Sequence, residues 1–409
     1  MIVYKCGGDI TGNVSSIGNF GRILGQEGGV VVVSAIRGVT DYLIERSSRK
    51  DMPYLLRQHL DLAKELGFDE RLTKRYLVEE VDKTDLGEHH DRISLGERLV
   101  ARIWQAYFEK SFGRISYTTG FDLGIERGEE NFIDERCKRG VENCVRESFK
   151  GDLLIVTGFD AIGKNKKRTT LGRSGSDQTA TFLAYCVSGE VYLMKNTEGV
   201  MSADPKIVGN ARLVECLSYD MAMEAGNIQP EAITWAKKGE LPIGILNVSN
   251  SRIRTRVTKE YYARKVELVT GQKDCVYLLV GNMRDEPGAE AKVMDLFAEY
   301  KINKLMSFDT RYSVSYVLGK SPGIRRVIAK LNNPCTKELC SLVTIIGNIN
   351  YHTKNEFEAI VRDVCWPHIP FTGVSWIPHG LGSFVASIVI PQRKYEKVIR
   401  ELHTKFIEG

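Results

Sequence analysis

Val30–Ser34 (VVVVS) and Leu153–Thr157 (LLIVT) are the stretches of sequence that decide the fold class. Both are short, apolar almost throughout and rich in β-branched residues, and both lead into turns that contain glycine or polar residues. This pattern is typical of strands that are buried on both faces of a parallel sheet. The same pattern predicts further strands at Ile2–Tyr4, Val191–Lys195 and Pro242–Val248.

Between these strands lie charged stretches with helical spacing. In Tyr54–Leu66 and Asp91–Phe108, apolar residues recur at intervals of three and four, which predicts amphipathic helices. Strands that alternate with helices indicate an α/β domain whose central sheet is mostly parallel and flanked by helices. Ligands of such domains bind beyond the carboxyl ends of the strands, so functional residues are expected in the turns that follow them.

The C-terminal part has a different organisation. After a basic and polar stretch at Asn250–Lys265, two similar strand, helix, strand patterns suggest an internal duplication. The predicted elements are, in order, Val276–Gly281, Glu290–Tyr300, Ser313–Leu318, Leu342–Gly347, Asn355–Cys365 and Ser383–Ile390. Each pattern is too small to hold much core alone, so the two should pack together. We therefore predict an α/β domain at residues 1–262 and α+β modules at residues 263–338 and 339–409.

The composition narrows the classes of function. The chain has 409 residues, which is more than one hydrophobic core usually serves. Its formal charge of +5 comes from 57 basic and 52 acidic residues without a long basic run, which argues against nucleic acid as a partner. The nine cysteines include no C-x-x-C pair, so neither a disulfide framework nor a zinc site is predicted. The N-terminus has no signal-peptide pattern and no apolar stretch reaches about eighteen residues, so we expect a soluble, cytoplasmic protein without a membrane partner.

The first predicted strand runs into the turn Lys5-Cys6-Gly7-Gly8-Asp9. Two glycines let backbone N–H groups approach an anion closely, and a lysine offers a point charge for phosphate. The spacing is not that of a P-loop. The alternative is that the two glycines only form a tight turn.

The strongest local signal is Thr157-Gly158-Phe159 followed by Thr169–Asp177 (TTLGRSGSD). The second segment concentrates hydroxyls, backbone amides, a guanidinium and a carboxylate in nine residues. Such a set suits a site that binds a carboxylate and organises a phosphate. The alternative is a polar loop in which Ser176 and Asp177 only cap a helix.

Six motifs occur in the order found in aspartate kinases, and the chain resembles that family over nearly its whole length. They are KCGGD (5–9), VVVSAIRGVTD (31–41), SLGERL (94–99), VTGF (156–159), TTLGRSGSDQTA (169–180) and EGVMSADPK (198–206). The C-terminal repeats resemble the paired ACT domains of those enzymes. The resemblance implies an amino acid kinase fold followed by two ACT-like modules, with ATP and Mg²⁺ as cofactors.

The resemblance also implies roles for individual residues. Lys5 and the amides of Gly7 and Gly8 would hold the transferred phosphoryl group, and Asp177 would orient Lys5. Arg173 would bind the α-carboxylate of the amino acid and Glu97 its ammonium group, because a guanidinium fork matches a carboxylate and a partly buried carboxylate pairs with an ammonium. The neighbouring substrate-binding residues would be Ser34, Thr40 and Ser176. The nucleotide-binding residues would be Lys5, Gly7, Gly8, Lys195, Asn196, Met201, Asp204 and Lys206. No metal ligand is identified.

One departure from the family pattern bears on the acceptor, because Asp9 follows the glycine pair where the family has Thr or Ser. An ionised acceptor carboxylate about 4 Å away would be repelled by roughly 4 kcal/mol at an effective dielectric of about 20, before Lys5 offsets part of this. A hydroxyl acceptor instead benefits from a general base. Asp9 is therefore a candidate catalytic base for an amino acid alcohol such as homoserine. The alternative is that Asp9 caps the helix that begins near Asn13.

Other departures concern the nucleotide and the effector. Lys195-Asn196 stands where the family has Thr-Asp, and Gly226–Pro230 (GNIQP) replaces a Lys-Val-Leu-His-Pro stretch whose lysine touches ATP. Lys195 is expected to supply the missing cation. Met306–Tyr316 differs from the family's effector loop, so the effector is expected to differ or to be lost. The alternative is that the modules have a purely structural role in dimerisation.

The sequence thus predicts an ATP-dependent kinase that converts L-aspartate to 4-phospho-L-aspartate, as a homodimer or a larger homo-oligomer. The ACT-like modules leave room for an amino acid effector. Phosphorylation of the homoserine hydroxyl stays open as an alternative. A non-catalytic subunit that senses amino acids is a second alternative, although retention of Lys5, Gly7, Gly8, Arg173 and Asp177 argues against it.

Overall fold

The computed structural model describes residues 1–25, 28–226, 228–250, 252–259, 261, 265–283, 288–348, 355–356, 359, 374–379 and 383–409. The chain forms two compact units. The first comprises Met1–Val200 and Leu213–Tyr261, and the second comprises Met201–Arg212 and Tyr262–Gly409. No helix in the described ranges is both long and apolar enough to span a membrane.

Within the described residues, eight strands form the sheet of the first unit, in the order β3-β4-β2-β1-β7-β9-β10-β8. The strands of this unit, with the separate β5–β6 hairpin, are β1 Ile2–Cys6, β2 Gly29–Val33, β3 Ile115–Thr118, β4 Leu153–Thr157, β5 Asp160–Ile162, β6 Arg168–Thr170, β7 Glu190–Lys195, β8 Cys216–Ser218, β9 Ile243–Asn247 and β10 Arg252–Thr258. All pairs in the eight-stranded sheet are parallel except β9 with β10. The five predicted strands are confirmed as β1, β2, β4, β7 and β9.

Helices flank this sheet. They are α1 Gly8–Thr11, α2 Val14–Leu24, α3 Val39–Glu45, α4 Met52–Glu65, α5 Glu70–Asp82, α6 His89–Ile93, α7 Leu95–Glu109, α8 Lys138–Ser148, α9 Gly175–Val187, α10 Tyr219–Glu224 and α11 Pro230–Gly239. The helix predicted at Tyr54–Leu66 is confirmed as α4. The one predicted at Asp91–Phe108 is divided at Ser94, whose hydroxyl donates a hydrogen bond to the Asp91 carbonyl (3.0 Å). Side-chain bonds of this kind compete with the helical backbone pattern, and periodicity alone does not reveal them.

An aromatic cluster anchors α7 to the first helices. Phe20, Trp104 and Phe108 are fully buried, with ring centroids 5.5–6.1 Å apart. The Trp104 indole N–H donates to the Thr11 carbonyl at 3.2 Å. Because α1 follows the glycine turn directly, this contact ties α7, which carries Glu97, to the turn that carries Lys5.

In the second unit, six strands within the described residues form an antiparallel sheet in the order β12-β13-β11-β14-β16-β15. Its elements are β11 Val266–Val280, α12 Ala289–Glu299, β12 Lys304–Thr310, β13 Ser313–Gly319, α13 Gly323–Lys330, β14 Cys335–Gly347, β15 Val374–His379, β16 Ser383–Pro391 and α14 Tyr395–His403. The predicted strands and the helix near Glu290–Tyr300 are confirmed, while the helix predicted at Asn355–Cys365 lies almost entirely outside the described residues. β11 and β14 pair along most of their length, which joins the two repeats in one sheet. This pairing is consistent with the small size of each repeat, which alone would bury too little apolar surface to be stable.

The segment Met306–Tyr316, where an effector loop was expected, forms most of the β12–β13 hairpin, with its turn at Arg311 and Tyr312. Tyr316 is fully buried, and its hydroxyl lies 3.3 Å from a Glu290 carboxylate oxygen. This segment is therefore a regular part of the sheet.

The short segment Met201–Arg212 packs into the second unit through Ala203 and Val208. The Ser202 Oγ accepts a hydrogen bond from the Arg212 N–H (2.8 Å) and lies 2.8 Å from His403 Nε2. His403 Nδ1 in turn lies 2.9 Å from a Glu408 carboxylate oxygen. Ser202 and His403 are 2% and 0% exposed, so water cannot replace these bonds.

Ser202→Ala is therefore expected to destabilise the second unit by about 1–3 kcal/mol, because it leaves a buried N–H and a buried imidazole nitrogen without their partner. Urea unfolding of the purified chain measures this loss. The exposed Ser47→Ala is the matched control and should change stability by less than about 0.5 kcal/mol. Equal stability of the two variants would contradict the prediction.

Candidate active site

The glycine turn after β1 lies against the loop that follows β2. A Cβ atom on Gly8 would lie 2.7 Å from the Ala35 carbonyl oxygen and 3.0 Å from the Arg37 nitrogen, so only glycine fits there. The Ser34 N–H donates to the Cys6 carbonyl at 3.1 Å. Gly7 is the N-cap of α1. The close approach brings the two loops together at the carboxyl edge of the sheet, as expected for a ligand site in an α/β domain.

Lys5 and Asp177 form a buried ion pair at this edge. The Lys5 Nζ lies 2.6 Å from an Asp177 carboxylate oxygen, and the two side chains are 11% and 8% exposed. Burial opposes ionisation of Asp177, but the charges of Lys5 and then Lys195 outweigh it and hold its pKa below the usual value. Asp177 therefore stays ionised and holds the Lys5 ammonium group at the end of β1.

Lys195 lies on the same face of the sheet as Lys5. In the parallel β1–β7 pair, Lys5 is opposite Leu193 and Cys6 is opposite Met194. Paired residues point to the same face and side chains alternate along a strand, so Lys195 also points to the face of Lys5. Burial and the Lys5 charge lower the pKa of Lys195, against the opposing charges of Asp177 and Asp9. The charges of two ammonium groups thus act on the single carboxylate of Asp177, which Lys5 contacts directly.

Asn196 and Asp9 meet at the same turn. The Asn196 Nδ2 donates to the Asp9 carbonyl and its Oδ1 accepts from the Ser16 hydroxyl, both at 3.4 Å. The Asp9 carboxylate is 60% exposed and lies 3.1 Å from Arg37 Nη1. The interpretation of Asp9 as a helix cap is wrong, because the Asn13 side chain caps α2 by accepting from the Ser16 N–H at 2.8 Å.

Glu97 lies on the other side of the β2 loop. The side chain of Ala35 in that loop would be only 2.8 Å from a Cβ on Gly96, so α7 packs directly on it. Glu97 is 3% exposed, and its Oε2 has no hydrogen-bond partner among the residues that the structure describes. Burial raises the pKa of Glu97 to about 8, although the N–H groups of Ala35 and Glu97 offset part of the effect. A buried carboxylate of this kind is suited to a cation that arrives with a ligand.

The beginning of α9 contacts the loop after β4. A Cβ on Gly158 would lie 2.5 Å from the Ser176 Cβ, and the Gly158 N–H donates to the Val33 carbonyl at 3.0 Å. Ser176 is buried here, whereas Arg173 is exposed and has no ion-pair partner in the described part of the chain. The guanidinium of Arg173 is therefore free to bind an anion.

The predicted residues fall into three groups. Lys5, Gly7, Gly8, Asp9, Asp177, Lys195 and Asn196 gather at the turn after β1, while Ser34, Thr40, Glu97 and Ser176 lie on the neighbouring loops and helices. Ser34 and Thr40 are half-buried. Met201, Asp204 and Lys206 belong to the second unit, where the Lys206 N–H donates to the Asp204 carboxylate at 2.9 Å. The roles of all these residues in binding or catalysis stay predictions.

Sequence reasoning missed a second charged cluster in the first unit. Asp160 is fully buried, accepts hydrogen bonds from the Thr157 hydroxyl (2.8 Å) and the Gly120 N–H (3.1 Å), and pairs with Arg168. Burial raises the pKa of Asp160, while Arg168 opposes the shift. The sequence signal that could have found it was the position of Asp160 three residues beyond the end of β4, where a buried carboxylate is unusual unless it has partners.

The comparisons with known proteins agree with this architecture. A sequence model of the amino acid kinase family matches residues 1–247. Aspartokinase 1 of Arabidopsis thaliana chloroplasts is 24% identical, covering 94% of this chain and 76% of that protein. The aspartate kinase Ask_LysC of Stutzerimonas stutzeri is 24% identical, covering 99% and 97%. Among solved structures, E. coli aspartokinase III with aspartate and ADP aligns with a TM-score of 0.76 at 17% identity, covering 99% of both chains. The same enzyme with lysine and aspartate aligns with a TM-score of 0.79, covering 100% of this chain and 99% of that one.

Proposed function

The chain belongs to the amino acid kinase family, and from this premise we propose that it transfers the γ-phosphoryl group of ATP to the β-carboxylate of L-aspartate. The products are ADP and 4-phospho-L-aspartate. The catalytic domain comprises residues 1–262 apart from Met201–Arg212, which belong to the second unit, and residues 263–338 and 339–409 are two ACT-like modules. The observation that carries the proposal is the arrangement around Ala35, which contacts the cationic Lys5 turn on one side and the helix of the buried Glu97 on the other.

The phosphate side of the reaction uses the turn after β1. Phosphoryl transfer depends on positioning and on neutralisation of charge, with little covalent chemistry for the protein. Lys5 and the N–H groups of Gly7 and Gly8 bind the transferred group, and Asp177 fixes Lys5. Lys195 and Asn196 bind the nucleotide phosphates.

Mg²⁺ enters with ATP. No cluster of three His, Cys, Asp or Glu residues that could hold a metal is present among the described residues. Mg²⁺ in kinases usually needs only one or two carboxylates besides the phosphates and waters. The described residues therefore identify no carboxylate ligand for Mg²⁺, and the ATP phosphates and waters hold most of its coordination sphere.

The amino acid is held at both of its charged ends. Glu97 pairs with the ammonium group, which satisfies a carboxylate that is otherwise buried without a cation. Arg173 binds the α-carboxylate, and Ser34, Thr40 and Ser176 donate hydrogen bonds beside it.

The acceptor is the group on which the alternatives differ. A β-carboxylate is already ionised and needs cations around it, whereas the hydroxyl of homoserine needs a general base. Lys5 and Lys195 supply two cations at the phosphate turn. Asp9, the candidate base, is 60% exposed, and its carboxylate is already paired with the Arg37 guanidinium at 3.1 Å. This arrangement favours the carboxylate acceptor.

The experiment that tests the proposal is release of ADP by the purified chain, measured with L-aspartate and with L-homoserine in parallel. Hydroxylamine present in the assay converts an acyl phosphate to a hydroxamate, so its appearance identifies a carboxyl acceptor. ADP release with homoserine alone would favour the hydroxyl alternative. No turnover with either amino acid would leave the sensing subunit as the better reading.

Asp9→Asn is expected to change kcat/KM for aspartate by no more than about threefold, since a carboxylate acceptor needs no general base. If the acceptor were a hydroxyl, Asp9→Asn would instead lower kcat/KM by about 10²- to 10⁴-fold. ADP release at saturating MgATP distinguishes the outcomes. Asp41→Asn, on the exposed face of α3, is the matched control. A loss of the larger size would contradict aspartate as the acceptor.

Lys195→Met is expected to raise the KM for MgATP and to lower kcat, together costing about 10- to 100-fold in kcat/KM, because one buried charge-assisted contact to phosphate is lost. Lys50→Met, at an exposed lysine just before α4, is the control. Initial rates over a range of MgATP concentrations give both constants. An unchanged KM for MgATP would argue that Lys195 only positions Asp177.

Regulation and assembly follow the same proposal. The ACT-like modules bind an amino acid effector, and the chain acts as a homodimer or a larger homo-oligomer in the cytoplasm.

A further inference from the structure

A cavity of about 460 Å³ lies in the first unit, apart from the cluster of Lys5, Asp177 and Lys195. Its size is within the range of small-molecule pockets. Its wall comes from α5, α6, α7, β3 and the β5–β6 hairpin together with the adjoining turns. The lining residues are Glu80, Lys83, Asp85, Glu88, Asp91, Arg98, Arg102, Tyr117, Thr119, Phe121, Asp122, Lys167 and Arg168. None of them has a role in the proposed reaction.

Part of this wall consists of buried charges. Asp91 bridges two arginines, with one carboxylate oxygen 2.7 Å from Arg98 Nη1 and 3.3 Å from Arg168 Nε. Arg98 is 5% exposed, and within the described ranges neither its Nε nor the Tyr117 hydroxyl has a hydrogen-bond partner. Buried ion pairs contribute little to stability, and buried donors without partners cost free energy. A wall of this composition is therefore hard to explain by folding alone.

Two arginines of the wall lie over aromatic rings. The Arg168 guanidinium carbon lies 4.4 Å from the Phe121 ring centroid, and that of Arg102 lies 4.5 Å from the Tyr117 ring centroid. Arg102 Nε also contacts Glu80 at 2.8 Å. Among the described residues, neither Nη2 makes a hydrogen bond. Arg102 Nη1 donates to Gln105 at 3.3 Å and Arg168 Nη1 pairs with Asp160, so each guanidinium has its Nη2 left to offer a ligand. Two such charged donors can each bind one oxygen of a carboxylate.

The balance of charges defines the class of ligand. The lining residues include five Lys or Arg and five Asp or Glu, so the formal charge of the wall is zero. A nucleotide or another polyanion would meet repulsion from the carboxylates, and a metal ion would meet repulsion from the arginines. A zwitterion can pair with both signs. Asp122 is exposed, and only one of its oxygens accepts a bond from Thr119, so its other oxygen can accept from an ammonium group.

We propose that this cavity binds a free amino acid as a zwitterion, with the α-carboxylate on Arg102 and Arg168 and the ammonium group on Asp122. This site is separate from the substrate site, and binding of an amino acid in the cavity does not depend on the proposed reaction.

The cavity is also connected to the substrate site through the chain. Arg98 follows Glu97 on α7, and Asp160, the partner of Arg168, follows Phe159 of the loop that contacts α9. Arg168 is two residues from Thr170, whose hydroxyl lies 2.9 Å from His90 Nδ1. The charges of Asp160 and Arg98 both act on the Glu97 carboxyl. An occupant that shifts Arg98 or Arg168 should therefore alter the KM for the amino acid substrate.

The test uses the full chain and each of the common L-amino acids singly, first as a thermal-shift screen and then by calorimetric titration of those that raise Tm. Arg102→Gln and Asp122→Asn remove one contact at each end of the zwitterion, and each should weaken binding by roughly tenfold or more. Arg102→Lys keeps the charge without the fork and should also weaken it. Arg75→Gln and Asp82→Asn, exposed residues of α5 outside the cavity, are the matched controls and should bind normally.

Glu97→Gln separates this site from the substrate site. A ligand of the cavity should still bind the Glu97→Gln chain, while binding at the substrate site should be lost. The cavity variants should keep the ADP-release rate measured without added effector, which also verifies that they fold. Binding that is insensitive to both Arg102→Gln and Asp122→Asn, or no binding of any amino acid, would overturn the proposal.

Discussion

Glu97→Gln is expected to lower kcat/KM for the amino acid by about 10²- to 10³-fold, because breaking one partner of a buried ion pair costs several kcal/mol. Gln has nearly the same size as Glu, so the lower kcat/KM should come from the removed charge and not from altered packing. Most of the loss should appear as a higher KM for the amino acid, while the KM for MgATP stays close to that of the unsubstituted chain. Glu109→Gln, an exposed residue at the end of the same helix, is the matched control.

The same residue should impose a pH dependence on activity. Glu97 binds an ammonium group only when ionised, and burial raises its pKa to about 8. In the unsubstituted chain, kcat/KM for the amino acid should therefore rise with pH up to about 8 and then level off. In Glu97→Gln this rise of kcat/KM with pH should be absent. A rise that persists in the variant would assign it to another group.

The stability of Glu97→Gln should change in the opposite direction to its activity. A carboxyl whose pKa is raised from 4.5 to about 8 on folding binds a proton in the folded state that the unfolded chain has released. Folding is then weakened progressively as pH rises from about 4.5 to about 8, and the full loss is present above that range. Gln cannot ionise, so above about pH 8 the variant should be more stable by roughly 3–5 kcal/mol. Urea unfolding on both sides of this window measures the difference. A variant less stable at high pH would contradict the assignment of a costly buried carboxylate.

Lys5→Met is expected to lower kcat by about 10³-fold, since removal of a preorganised charge beside the transferred group costs about 3–4 kcal/mol of transition-state stabilisation. The KM for the amino acid should change little. ADP release and a single-turnover measurement of phosphoryl transfer test the rate, with the exposed Lys50→Met as control. Retention of more than about a tenth of kcat would argue against contact between Lys5 and the transferred group.

A double variant separates the catalytic effect of Lys5 from its structural effect. Lys5→Met leaves the buried Asp177 carboxylate with Lys195 as its remaining cation, which should destabilise the fold. Adding Asp177→Asn removes the uncompensated charge and should restore part of the stability without restoring activity. Recovery of activity together with stability would mean that the single variant had failed only by misfolding.

The strands of the first unit and their order of appearance could be predicted because their signal is local. Four consecutive valines at 30–33 cannot face water on either side, and the structure buries all of them in the middle of a parallel sheet. The break at Ser94 could not be predicted in the same way, because it depends on a side-chain bond to Asp91 that leaves the hydrophobic period unchanged.

The position of Asp9 shows where local reasoning reached its limit. Because Asp9 follows a glycine pair, the sequence suggested either a catalytic base or a helix cap. Both interpretations place its carboxylate within the turn. In the structure it points outward to Arg37, a residue 28 positions away that arrives with the loop after β2. The partner of an exposed charge depends on which loops meet, and loops meet through the packing of distant strands.

The cavity lined by Arg98, Arg102 and Arg168 could not be read from the sequence at all. These arginines lie in stretches whose charge is typical of solvated helix faces and turns. Only the convergence of α5, α6, α7 and the β5–β6 hairpin shows that they line one cavity.

The sequence by itself determined the α/β character of the first unit, the duplicated α+β character of the tail and the candidate residues at the ends of β1 and β4, while the resemblance to aspartate kinases implied those at the end of β7. Periodicity, β-branching and glycine placement act over a few residues, so a linear reading captures them. Only the tertiary structure decided that the charges of Lys5 and Lys195 both act on Asp177, that Glu97 is buried without a cation, and that Met201–Arg212 belongs to the second unit. These properties depend on burial and on charges brought together from distant parts of the chain, and the energy of a charge is set by its surroundings in space.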